Sequence, residues 1–565
     1  MSLSDAILEG RFKDVQLLLG QGADVNEQDP YGYTPLIESI IVDNFEMLRY
    51  LVKAGADVNA EDITGATALQ WACDFSQLPM AEILLEKGAD PNHYTADGLP
   101  ILVYPLLRKQ TALVELLLKK GASLELAQDY IETKLLAHRF ELRGSAELVN
   151  TRGEFFEIDI EGFFLEFTLG LITDSLKQYL EKNNQNEFPS LSVLSQKIAR
   201  SLDNASQLMQ RKYARRKQNE ILKITDLIKI DLLVLPISYQ GHAITFVKYG
   251  NLFAKCDRGV NKITDTVVIY QIKKPELWTE SFIVELLTEN KTEFFIHTEL
   301  KSILQLKPIV TLPSRYQITG NCSWANVEAS VPASLFMLLY ASTQQNPHGV
   351  QALKKQIMKF YSHWVEWERD RALEKFIADF NQISKPRQAA RVALLAALVL
   401  QRGTQLKTLD IARTKKIMPV LVLPEYAYVL DSYIKVYAHP QAGKLGKNFL
   451  KLLQAVGVDP KAILKNSSST STNAKPAKMH YPLHLAALAG DLARVMDLIE
   501  KFKVDVNWQD QSGNTALMFS AWKGHLPVLE YLLKKGADPK IKNKKGGMAK
   551  HYAIIGGHKE LMGLL

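Results

Sequence analysis

Three cysteines in 565 residues, Cys73, Cys256 and Cys322, are too few and odd in number for a disulfide-stapled secreted scaffold. Each is expected as a free thiol in a reducing compartment. Long apolar runs are also missing: the longest, Val392 to Leu400, is about half of what a bilayer needs, so no membrane span is expected. The opening Met1-Ser-Leu-Ser-Asp-Ala-Ile-Leu-Glu-Gly10 lacks a basic stretch followed by an apolar one, which argues against a cleaved secretory signal. Charge of one sign is scarce beyond a formal +7, too little at this length to imply a nucleic-acid partner. Cys and His pairs at zinc spacing and glycine-rich phosphate loops are absent, so neither a metal nor another cofactor is expected.

What remains is ordinary globular material, 47% hydrophobic and 23% charged, long enough for about three or four folded units with more than one core. Internal repetition organises it. Gly22-Ala-Asp, Gly55-Ala-Asp, Gly88-Ala-Asp and Gly121-Ala-Ser recur every 33 residues, and Gly32, Gly65 and Gly98 share that period in another phase. Tyr33-Thr-Pro-Leu-Ile and Ala66-Thr-Ala-Leu-Gln each open a short helix, where Thr34 or Thr67 can accept from orphan amides and Pro35 suits the first turn. Gly22, Gly55, Gly88 and Gly121 each follow a Leu-rich helix and suit the left-handed conformation that ends it; Asp24, Asp57 and Asp90 suit the turn beyond. The pattern returns at Tyr481-Pro-Leu-His-Leu-Ala-Ala, Asn514-Thr-Ala-Leu-Met, and Gly524-His525 echoed by Gly557-His558.

These segments resemble the ankyrin family, about four repeats over 1–125 and about three over 479–565. The resemblance implies protein-binding surfaces. Tyr31, Tyr33, Trp71, Phe75 and Trp522 are candidate contacts, although Trp71 and Trp522 occupy positions that often face inward. Between the arrays, residues 126–465 form a central region of mixed helix and strand, and Asn466 to Lys478 is a polar low-complexity linker. The alternation from Gly153 to Thr168 predicts strand or hairpin, Ser190 to Leu222 predicts helix, and the basic Arg211 to Lys217 cluster fits a solvated helix face.

The chemistry lies in two central segments. Asp231 to Gly259 reads as strands joined by a Tyr249-Gly-Asn251 turn, and a hairpin folding there sets His242 beside Asp257. Tyr316-Gln-Ile-Thr-Gly-Asn-Cys322-Ser-Trp-Ala places Cys322 at a helix start, where the helix dipole favours thiolate. Gly320-Asn-Cys322-Ser-Trp324-Ala325 resembles the nucleophile helix of papain-like cysteine peptidases. The order His242, Asp257, Cys322 departs from papain and resembles the adenain and ubiquitin-like-protease group, which implies Gln317 as an oxyanion donor. The roles expected are Cys322 as nucleophile, His242 as its acid–base partner and Asp257 as the group that orients the ring. A set of Cys322, His363 and Asp370 would restore papain order, but Ser362 to Asp370 reads as amphipathic helix. Cys73 and Cys256 are expected to be structural.

The combination defines an α+β multidomain chain with all-α ankyrin arrays flanking a cysteine-protease-like centre. It resembles the ankyrin-repeat type IV effectors of Legionella, and Ala137-His-Arg-Phe-Glu-Leu-Arg-Gly144 resembles their AnkH-like group. That resemblance implies secretion into the host cytoplasm or nucleus, host proteins bound through the repeats, and a protein substrate. Two alternatives stay open: a non-catalytic scaffold with a degenerate centre, and an acyltransferase built on the same triad.

Overall fold

The computed structural model describes residues 2–29, 32–160, 165–183, 189–213, 224–239, 242–259, 266–289, 291–314, 322–342, 347–437, 443–459, 482–488, 490, 492–500, 504–509, 513–543, 546–556 and 558–565. The linker at 466–478, Tyr31, Gln317 and residues 214–217 of the basic cluster lie outside them. The chain divides into two compact units, Met1–Pro460 and Lys461–Leu565. Ankyrin repeats stand at both ends, and the fold between them combines helices with sheet.

The first array consists of antiparallel helix pairs: α1 Leu3–Leu8 with α2 Phe12–Gly20, α3 Pro35–Ile41 with α4 Phe45–Lys53, α5 Ala68–Asp74 with α6 Leu78–Glu86, and α7 Val103–Leu107 with α8 Thr111–Lys119. Thr34 and Thr67 cap α3 and α5 by accepting from the amides of Ile37 and Gln70. Gly32 and Gly65 have φ of 74° and 77°, and a β-carbon on either would lie 2.7 Å from a backbone nitrogen of the next repeat, at Ile63 or Ala96. Only glycine lets successive hairpin tips approach that closely. An asparagine ladder stitches the repeats further. Asn26, Asn59 and Asn92 accept through Oδ1 from the amides of Asp57, Asp90 and Ser123 at 2.8, 2.9 and 2.7 Å, each one repeat onward. Tyr33, Trp71 and Phe75 form a half-buried aromatic row, with the Trp71 indole donating to Asp62 at 2.8 Å.

No linker separates this array from the central region. Helix α9, Leu124–Phe140, caps the last repeat and buries residues on several faces. Its Asp129 accepts a bidentate pair of bonds from Arg387, at 2.5 and 3.0 Å, and another from Arg391 at 3.0 Å. Glu141 ends the helix at φ 49°, which delivers its carboxylate between Arg258 and Arg402 at 2.9 and 3.1 Å. A hairpin of β1 Ser145–Val149 and β2 Phe155–Asp159 then lies over the third repeat, where Phe156 stacks on Tyr94 at 4.2 Å. The strand expected over 153–168 stops at 159, and Leu165 already belongs to helix α10, Leu165–Asn183, where Leu165, Leu169, Ile172 and Leu176 are buried at helical spacing.

Helix α11, Pro189–Tyr213, leads into a five-stranded antiparallel meander of β3 Leu232–Tyr239, β4 His242–Tyr249, β5 Leu252–Cys256, β6 Val267–Gln271 and β7 Lys307–Thr311. A helix over Cys322–Ser342 packs on β4 and β5 with nearly every face buried, and its apolar residues meet Phe246, Phe253 and Phe360 in the core. Helices over Pro347–Ala378, Lys385–Leu398, Thr408–Leu421, Ala427–Tyr437 and Gly443–Ala455 complete the first unit.

The second unit repeats the ankyrin geometry over Pro482–Leu488 with Leu492–Glu500, Ala516–Trp522 with Leu526–Lys534, and Ala549–Ile555 with a closing 3-10 turn. Leu483, Val495, Leu517, Val528, Leu529 and Leu532 belong to its own core. Asn507 reproduces the ladder, accepting from Asp538 at 2.7 Å and donating to Gly536 at 3.0 Å. Among the described residues no helix is long and apolar enough to cross a membrane.

Candidate active site

The β4–β5 hairpin turns at Gly250, whose φ of 53° suits a tight reversal, and its register pairs Tyr249 with Leu252 and Thr245 with Cys256. His242 opens β4 and Asp257 lies one residue beyond β5, so both end on the same edge of the hairpin. His242 Nε2 and Asp257 Oδ1 are 2.9 Å apart. The Gly259 amide donates to the same oxygen at 3.1 Å, and the Asp257 amide donates to the Thr266 carbonyl at 2.7 Å, so backbone contacts hold the residue from both sides.

Cys322 stands at the first position of its helix, against that edge. Its sulfur accepts from the Ala243 amide at 3.4 Å and is hydrogen-bonded to the His242 ring. With Nε2 committed to Asp257, Nδ1 is the nitrogen left for the thiol. Burial opposes charge on both groups, yet the mutual bond and the Ala243 amide hold the Cys322 thiol below its ordinary value. Against the same burial penalty, Asp257 and Cys322 push His242 up to about 9. Both shifts run in the direction that favours the charged forms of thiol and imidazole. Burial also works against charge on Asp257, but His242, Lys255 and His297 outweigh it and hold the carboxyl below its ordinary value.

One buried side chain sets the spacing of helix and strands. Asn326, a helical turn after Cys322, donates to the Ala243 carbonyl at 2.5 Å and accepts from the Arg258 amide at 2.6 Å. It thereby binds the neighbour of His242 and the neighbour of Asp257 at once. Arg258 in turn reaches Glu141 at 2.9 Å and Glu328 of the Cys322 helix at 3.7 Å.

His297, not among the residues expected from sequence, joins the site from a π-helical turn over Phe295–Glu299. Its Nε2 lies 3.3 Å from Asp257 Oδ2 and 3.0 Å from the Tyr239 hydroxyl, and its Nδ1 lies 2.8 Å from Lys255 Nζ. Lys255 and Asp257 are two residues apart on one strand face, which is the single local hint that a polar group must face them.

Of the other candidates, Gln317 lies outside the described residues. His363 lines a shallow cleft with Tyr179, Glu366 and Trp367, and Asp370 is held by Arg413 at 2.8 Å, while Cys322 contacts His242. Cys73 and Cys256 are fully buried, their thiols raised by burial. No three or more His, Cys, Asp or Glu residues among those described are grouped to hold a metal.

Comparison with known proteins adds context. Ankyrin-repeat family models match residues 3–95 and 498–553. The ankyrin repeat protein nuc-2 of Neurospora crassa is 38% identical over 86 residues, 15% of this chain and 8% of that protein. The human transient receptor potential cation channel subfamily A member 1 is 29% identical over 141 residues, 25% of this chain and 12% of the channel. The chain thus spans only a small part of these curated relatives. The solved structure of the Legionella effector AnkH is 36% identical with a TM-score of 0.71, covering 81% of this chain and 98% of that one.

Proposed function

The chain belongs to the family of the Legionella effector AnkH, and we propose that it is an effector secreted into a host cell that binds host protein through its ankyrin arrays and hydrolyses a peptide or isopeptide bond at Cys322. In this reading residues 1–125 and 479–565 are binding arrays, 126–465 is a cysteine-protease-like region, and 466–478 is a linker. The cytoplasm and the nucleus both suit it.

The hydrogen-bonded line from Cys322 through His242 to Asp257 carries the proposal. The Cys322 thiolate attacks the substrate carbonyl carbon, forming a C–S bond and a tetrahedral oxyanion. The Cys322 amide and Gln317 are the proposed donors to that oxygen. Collapse breaks the C–N bond as His242 gives its proton to the leaving amine. Water, deprotonated by His242, then attacks the thioester and expels the thiolate. Asp257 keeps the ring oriented and stabilises its charged form throughout. An acceptor alcohol or amine in place of that water would make the same site a transferase.

The test is Cys322→Ala. Host-cell extract incubated with the wild-type chain should gain new protein N-termini or lose isopeptide conjugates by mass spectrometry, and the variant should yield neither. Equal turnover by the variant would remove the catalytic reading and leave the arrays to act by binding.

A further inference from the structure

The proposed mechanism uses one oxygen of Asp257, and the structure provides for the other. Asp257 Oδ1 meets His242, while Oδ2 faces His297 Nε2 at 3.3 Å. The tautomer of His297 follows from its partners. An ammonium group can only donate, so Lys255 Nζ at 2.8 Å makes Nδ1 the acceptor and places the ring proton on Nε2. That N–H is hydrogen-bonded to the Tyr239 hydroxyl, and Asp257 Oδ2 lies on the same edge of the ring, 3.3 Å from Nε2. Burial, then the charge of Lys255, lowers the pKa of His297, which keeps the ring neutral at pH 7. The groups facing it are Tyr239 from β3, His242 from β4, Lys255 and Asp257 from β5 and its end, and Glu293 from its own segment. A polar group placed in a π-helical turn at this point fits the tendency of such turns to occur where side chains must be aimed.

We propose that His297 is a positioning residue for the Cys322 site, its Nε2 edge backing Asp257 Oδ2 so that the other carboxylate oxygen stays aligned on His242. The device runs Lys255, His297, Asp257, His242, Cys322, and it rests on the catalytic reading of Cys322. His297 touches neither the thiol nor, in this scheme, the substrate. Its loss frees the carboxylate to rotate, loosens the bond to His242 and lowers the thiolate fraction of Cys322.

The experiment is the rate of iodoacetamide alkylation of Cys322 against pH, followed by mass spectrometry on the full chain. The buried Cys73 and Cys256 serve as internal silent controls. Wild-type Cys322 should alkylate at pH values where an ordinary thiol is inert. His297→Phe, which keeps the ring but not the donor, should move that profile to higher pH and slow alkylation at pH 7 by about tenfold. His297→Gln, which returns a donor near the Nε2 position, should restore the rate to within about threefold of wild type. An unmoved or accelerated profile in His297→Phe overturns the assignment while sparing the catalytic reading. An ordinary thiol profile in the wild-type chain overturns the catalytic reading, and the assignment with it. Should His297→Phe fail to fold, the 15N shifts of His297 in the wild-type chain decide: a neutral ring protonated on Nε2 supports the proposal, and a cation or an Nδ1-protonated ring at pH 7.5 overturns it.

Discussion

The two arrays are built from the same repeat and used in opposite ways. The first is welded to the central region through Asp129, Glu141, Tyr94 and Tyr104, and shares one compact unit with it. The second has its own core and forms its own unit. Their charges differ as well: residues 1–125 carry 19 acidic and nine basic side chains, residues 479–565 eight acidic and 12 basic. A repeat fold therefore dictates neither how an array joins its neighbours nor which field it presents. Those properties come from the residues that the repeat pattern leaves free.

The strongest way to break the contrast is at Glu141. Glu141→Leu strands two buried guanidinium groups, Arg258 and Arg402, and should destabilise the first unit by about 3–5 kcal/mol. Calorimetry should show the first unit's transition fall while that of the second array stays in place; a shift in both would mean the units are not energetically separate. Ladder substitutions come next. Asn59→Ala and Asn507→Ala each remove two repeat-to-repeat bonds and should cost about 1–2 kcal/mol. The melting shift should be larger for Asn507→Ala, because the smaller unit has the smaller unfolding entropy.

A third prediction compares array and site through their cysteines. In the native chain Cys322 should react with iodoacetamide below its ordinary value of 9.0, and the ion pair should be lost as pH rises through the His242 value of about 9. Cys73 should stay silent across that range; comparable labelling of both would dissolve the distinction. The smallest effect concerns Glu38 in the first array, whose carboxyl is pushed up to about 7 by burial, against a bond from Ser4. Because the folded state holds the proton more tightly than the unfolded one, this group's contribution is full below about pH 4.5 and is lost as pH rises to about 7. Glu38→Gln should leave the melting temperature unchanged at pH 4 and raise it by a few degrees at pH 8.

Local chemistry made much of this readable in advance. Thr34, Thr67 and the glycines every 33 residues act through bonds a few residues long, so their positions announce the repeat. The proximity of His242 and Asp257 could be counted from a tight turn, since strand register is arithmetic. What escaped was non-local. His297 meets Lys255 across 42 residues, Asn326 meets Ala243 across 83, and Arg258 meets Glu141 across 117. No periodicity carries such contacts. The alternation after Gly153 misled because acidic and aromatic residues alternate in the sequence as far as Phe167, while from Leu165 onward the chain is helical.

The position of Glu141 has an evolutionary corollary. A capping helix that ends on a buried counter-ion, two steps from the candidate nucleophile, cannot be exchanged together with the array it caps without also rewriting Arg258 and Arg402. Recombination at this seam is penalised, whereas the second array is folded around a core of its own. Lineages descending from a common ancestor should accordingly keep the first array, its capping helix and the central region as one inherited block.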